Sequence, residues 1–224
     1  MRLSTELIEE VIDHVWDDPD ELDFWWNYGE EYTTLCALSL SCRALRWRSQ
    51  YNLLRRVSFL KMSHLQSFSE LLDKYPARGE LVLELVVLST AEKPSPAESF
   101  SPLLAGRLPN LRSLRIRTEM DPVDDLDKRP TPLFHRGALA SLGRFSSVTK
   151  LQLFGLRFAE LSDFLRLLRA LPRLVFLQCM QIWFRNSLRG RQCVDLFPPN
   201  SRIHVRCIDV RVQISVLSNA IDIY

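Results

Sequence analysis

Glycine is scarce in this chain, seven residues in 224. That argues against loops that cradle phosphate and against sheets built from tight two-residue hairpins. No P-loop, GxGxxG or GxSxG string occurs. Histidine is scarcer still. The four (His14, His64, His135 and His204) lie far apart, with no HExxH or paired-histidine spacing that would hold a metal. Neither sign of charge dominates, with 29 Lys and Arg against 27 Asp and Glu. A net charge of +2 points to no particular partner. No apolar run approaches the ~18 residues of a membrane-spanning helix. The expectation is a non-enzymatic protein that needs no metal or cofactor and binds neither membrane nor nucleic acid.

The five cysteines are odd in number and include no CxxC pair. They read as free thiols of a reducing compartment, cytoplasmic or nuclear. Met1 and Arg2 run directly into Leu3, Ser4 and then acidic residues, which is not the pattern of a secretory leader.

What the chain does have is amphipathic helix, leucine and a clear rhythm. In "LSTELIEEVIDHV" the apolar residues Leu7, Ile8, Val11, Ile12 and Val15 fall on one helical face. Glu9, Glu10, Asp13 and His14 fall on the other. Ser4 suits the N-cap, Glu6 the first turn, and Pro19 lies just past the end. Residues 17–34 then hold seven carboxylates, no Lys or Arg, and Phe24, Trp25, Trp26, Tyr28 and Tyr32. This reads as a loop, either folded back on its neighbours or exposed for recognition. A second helix is expected over "TTLCALSLSCRALRWRSQ", capped by Thr33 or Thr34. A third, short helix in "SQYNLLRRVSFLK" runs into a strand. Between Cys42 and Lys61 there are six basic residues and no acidic one. That stretch is too short for a phosphate-tracking stripe and sits beside an acidic loop that repels phosphate.

"LSTELIEEVIDHVWDD" followed by "TTLCALSLSCRALRWRSQYNLLRRVSF" resembles the F-box, a three-helix module. Leu3, Glu6, Leu7, Ile8, Val11 and Ile12 match the first half of its pattern. Leu35, Leu38, Cys42 and Arg43 match the second. Ser4 stands where proline is usual, Ser41 where valine is usual, and Leu45 takes the tryptophan position, with Trp47 displaced by two. The connecting segment 17–33 is longer than usual. The resemblance implies docking onto the Skp-type adaptor of an SCF ubiquitin ligase and, through it, onto a cullin. It implies Leu3, Ser4, Leu7, Ile8, Val11, Leu35, Leu38, Cys42 and Arg43 as the adaptor-binding residues.

Beyond residue 60 the pattern repeats. "ELVLELVVLST", "LPNLRSLRIRT", "FSSVTKLQLFGL" and "LPRLVFLQCMQI" each end in a strand-like run. Leu85/Val87, Leu114/Ile116, Leu151/Leu153 and Leu177/Cys179 fit one register, at intervals of 29, 37 and 26 residues. Helix candidates lie between them at 64–75, at 158–171 and, more weakly, at 133–145. This resembles irregular leucine-rich repeats, lacking the asparagine of the standard repeat, and implies a curved parallel sheet with helices outside. Segments 90–102 and 118–132 read as insertions along one rim, and 201–216 as a closing strand. The expected architecture is α/β: an F-box-like module over 1–60 with its 17–33 insertion, then a strand–helix solenoid over 61–224. The expected function is that of a substrate receptor for an unidentified target protein. The alternative is an interaction scaffold whose first helices only cap the solenoid.

Overall fold

The computed structural model describes residues 4–15, 28–90, 94–118, 136–184 and 204–212. Three helices come first: α1 (Thr5–His14), α2 (Tyr28–Ser41) and α3 (Arg43–Arg55). The second and third differ from expectation. α2 begins inside the segment read as a loop, and α3 begins where one continuous helix was expected. The break is at Cys42, which is fully extended (φ −155°, ψ 165°). Its cause is local. Ser39 and Ser41 donate their hydroxyls to the carbonyls of Cys36 and Leu38, each at 2.8 Å. Such side-chain bonds compete with the helix ladder at its C-terminal turn.

α3 runs directly into β1 (Arg56–Phe59), which lies within the span assigned to the helical module. There follow α4 (Met62–Lys74), a 3-10 turn at Pro76–Leu81, β2 (Glu84–Ser89), α5 (Pro96–Leu104), β3 (Ser113–Thr118) and α6 (Arg136–Leu142). The chain continues with β4 (Lys150–Phe154), β5 (Arg157–Phe158), α7 (Leu161–Arg169), β6 (Phe176–Phe184) and β7 (His204–Val212). The result is mixed α/β with one sheet in which every pairing is parallel.

The path runs β1-β2-β3-β4-β6, with β7 on the far side of β6. β4 pairs with the first half of β6 and β5 with its last two residues, so β4 and β5 act as one broken strand. Gly155, at φ +67°, makes the break, and its N–H donates to Met180 O. Opposite it, β6 shifts register between Cys179 and Ile182, with Gln181 at φ +53°.

The register expected from sequence is the one observed. Leu85 faces Leu114, Leu114 faces Leu151, and Leu151 faces Leu177. Val87, Ile116, Leu153 and Cys179 form the next row. Val57 and Phe59 of β1 extend both rows by one strand. All of these but the half-buried Val57 are buried, with Leu65 and Phe68 of α4, Phe100 and Leu104 of α5, and Phe164 and Leu168 of α7. A turn precedes each of these strands: Val82, Leu111, Val148 and Leu174 each donate a backbone N–H three residues back. Between units, Asn110 donates to Glu80 O and Ser147 to Leu111 O, both at 2.7 Å. These side chains tie adjacent turns together.

One expectation changes here. Most of segment 90–102 is not a rim loop. Pro96–Leu104 forms α5, which buries Ala97, Phe100 and Leu104 in the core. The Glu98 carboxylate accepts from Ser95 N–H at 3.3 Å, and proline stands in the first turn. Segment 119–132 lies outside the described residues. The sheet's other face is closed as well: Val86, Arg115, Gln152 and Gln178 on it are all buried. The amides of Gln152 and Gln178 pair there across β4 and β6. Sheets with every strand parallel are usually covered on both sides.

Candidate functional site

α1 is held on the bundle by few groups. The Ser4 hydroxyl caps it, accepting from Leu7 N–H at 3.3 Å. Ile12, only 1% exposed, is its buried apolar anchor. Beside it lies a polar latch. Arg48 of α3 grips Asp13 with two hydrogen bonds, Nε to Oδ1 at 2.7 Å and Nη2 to Oδ2. Asn52, fully buried, donates to Asp13 Oδ1 at 3.0 Å and reaches Ile12 O at 3.5 Å. The Arg48 guanidinium also lies over the Tyr51 ring, 5.4 Å from its centre. Chiefly through the Arg48 hydrogen bonds, and against the opposing effect of partial burial, the Asp13 carboxyl is held below the usual carboxylate range. Sequence reasoning missed this latch, because its members stand 35 and 39 residues apart with no motif between them.

The nine residues named from the resemblance divide by burial. Leu7 and Val11, one helical turn apart, are 49% and 62% exposed. Ile8 is half-buried, and Ser4 is exposed at the helix start. Cys42 and Arg43 are exposed at the α2–α3 break, and Leu38 is half-buried. Leu35 is fully enclosed and fixes α2 within the bundle, so its side chain offers no surface to a partner. Leu3 lies outside the described residues. Two large apolar side chains outside the nine expected adaptor-binding residues stand out further: Leu40 at 79% and Trp47 at 75% exposed. Sequence spacing gave no signal for them, because Leu40 follows Cys36 and Trp47 precedes Tyr51 by four residues, the spacing of a buried face.

A second feature lies where the helices meet the sheet. An open cleft of about 700 Å³ runs along β1, the edge strand. One wall is apolar, made by Val57 and Phe59 with Phe68 and Leu71 of α4. The opposite wall carries Ser58, Val86 and Arg117. Leu53 and Leu54 of α3 and Tyr32 and Thr33 of α2 close one end. Burial, and secondarily Cys36, pushes the Tyr32 phenol above its ordinary pKa. Arg56 lies in the wall but is committed to Glu84 of β2 at 2.7 Å.

No family model, curated protein or solved structure matches this chain. Function is therefore argued from geometry and from the residues. Among the described residues, no group of three His, Cys, Asp or Glu side chains could hold a metal ion. No described helix is long and apolar enough to cross a membrane. Cys36, Cys42 and Cys179 are free thiols.

Proposed function

We propose that this chain is the substrate-receptor subunit of an SCF-type cullin–RING ubiquitin ligase. Its N-terminal helices bind the Skp-type adaptor, and its strand–helix region binds a target protein. The chain performs no chemistry in this role. It raises the effective concentration of a target near the ligase. One observation carries the reading: Leu7 and Val11 form an apolar strip that the chain leaves outside while it buries Ile12 of the same helix. An amphipathic helix with anchors at i and i+4 is what a partner's groove takes up. The ordered matches to the F-box pattern give that strip its occupant.

Val11 is the position to test. It is well exposed, so its replacement spares the bundle, whereas Ile8 is half-buried and supports α1 as well. Co-purification of the full chain with a Skp-type adaptor is expected for the wild type. Val11→Asp should weaken it at least tenfold, because a charge would be buried in an apolar contact. Equal retention of adaptor by the variant, with an unchanged circular dichroism spectrum, overturns the reading.

The alternative scaffold reading draws on a different observation. α3 is continuous with β1 and packs beside the Pro76–Leu81 turn, so the helices cover that end of the sheet. Repeat arrays need such a cover. A wild-type chain that folds and binds no adaptor favours this alternative.

A further inference from the structure

α1 and α3 lie against each other through Ile12 and Asp13 on one helix and Arg48 and Asn52 on the other. At about 3.6 residues per turn, Arg43, Arg46, Trp47 and Gln50 fall on the side of α3 away from α1, and all four are exposed. α3 contains no acidic residue. Neither Arg43 nor Arg46 has an ion-pair partner among the described residues. Tryptophan and arginine are the side chains that protein interfaces favour as anchors. This face therefore suits a partner that sets carboxylates beside an apolar group.

The chain itself carries such a surface. On α1, Glu6 and Glu10 stand one turn apart beside Leu7 and Val11, likewise one turn apart, and all four are exposed. They lie away from the side that Ile12 and Asp13 turn to α3. On α3 the same spacing recurs, from Arg43 to Trp47 and from Arg46 to Gln50. Set against each other, the two helices place Trp47 on Leu7 and Val11 and the arginines beside Glu6 and Glu10, so charge and apolar surface match together. The two faces look to opposite sides of one α1–α3 pair. They cannot meet within a chain, and a contact between them joins different copies head to tail. We infer that α1 of one copy docks through Leu7 and Val11 on the Arg43–Arg46–Trp47 face of α3 in a second copy. The contact covers the strip assigned above to the adaptor. Self-association and adaptor binding then exclude each other, so a rising concentration of the chain withholds it from the ligase. That consequence rests on the proposed function; the contact itself does not.

The test is sedimentation velocity of the full chain over a hundredfold range of concentration. The wild type is expected to gain weight-average mass as concentration rises, and to lose most of that gain at about 0.5 M salt, where surface charges are screened. Val11→Lys breaks the α1 face and Trp47→Lys the α3 face. Both positions are exposed on helices, so the circular dichroism spectrum should not change. Each variant alone should associate at least tenfold more weakly than the wild type. Mixed in equal amounts, the two should recover association as a one-to-one pair that grows no further, because one intact α1 face meets one intact α3 face. A wild type that stays a single chain at every concentration overturns the inference. So does association of either variant alone at wild-type strength, or a mixture that fails to pair. A Skp-type adaptor should return the wild-type assemblies to single chains, and adaptor bound to undiminished assemblies overturns the exclusion. Trp47 is outside the residues assigned to the adaptor, so Trp47→Lys should still co-purify with it in dilute solution. A wild type that self-associates and binds no adaptor would sink the proposed function and leave the self-contact standing.

Discussion

Asp13 is where the attachment of α1 is most exposed to test. Its carboxyl is depressed by the Arg48 grip, while in the unfolded chain it titrates near the ordinary value of about 3.9. A lowered folded value means stabilisation that is complete above the unfolded value and fades as pH falls through the folded one. Both partners are partly solvated, so the pair contributes about 0.5–1 kcal/mol. Asp13→Asn should therefore lower stability by that amount at pH 7, and the difference from wild type should close as pH falls below the ordinary carboxylate range. Urea unfolding at pH 7 and over a falling pH series measures it. Two glycines supply a contrast at the same scale. A Cβ on Gly79 would stand 2.1 Å from the carbonyl oxygen of Arg107, backbone against backbone. One on Gly106 would meet nothing within 4 Å, and its cost comes from φ +76° alone. Gly79→Ala should cost about 1–3 kcal/mol through overpacking, and Gly106→Ala about 1 kcal/mol through left-handed strain.

At the scale of elements, α5 shows both what sequence tells and how it misleads. Proline and serine around 94–102 suggested a loop, yet Ser95-Pro96-Ala97-Glu98 is a helix start in which Glu98 reaches back to Ser95 N–H. Glu98→Ala should cost about 0.3–1 kcal/mol by removing an anion and an acceptor at the helix N-terminus, measurable as a lower urea midpoint. The strand rows were legible because a parallel sheet repeats one register, and Leu85, Leu114, Leu151 and Leu177 carry the same side chain into it. The start of α1 was legible because Ser4 and the phase of Ile8 and Ile12 agree. The α2–α3 break was not, because neither glycine nor proline marks it and two serine hydroxyls do the work instead. The β1 cleft was beyond sequence reading altogether. Its walls come from six elements, and only the fold brings Arg117 within the same cleft as His64.

Across the whole molecule, attachment is uneven, and that unevenness connects structure to proposed role. β2, β3, β4 and β6 are flanked on both sides and carry a continuous core of fully buried leucines. α1 is anchored by Ile12 and the Asp13–Arg48–Asn52 latch, with Leu7 and Val11 left outside. Local opening should therefore be far easier for α1 than for the central strands, since opening free energy follows buried contact and buried hydrogen bonding. Native-state hydrogen exchange is expected to give the slowest amides at Leu114–Ile116 and Leu151–Leu153, near the global unfolding free energy. Those of Val11 to His14 should exchange at least a hundredfold faster. Asp13→Asn should accelerate the α1 amides further, and the central strands only by the about two- to five-fold that the loss of global stability implies. A helix so lightly held loses little when it is recruited to another surface, so binding of an adaptor should slow α1 exchange selectively, leaving the β1 amides unchanged. Protection spread evenly through α1 and the sheet in the free chain would show that α1 is an integral part of the core, and the capping role would then be the better account of it.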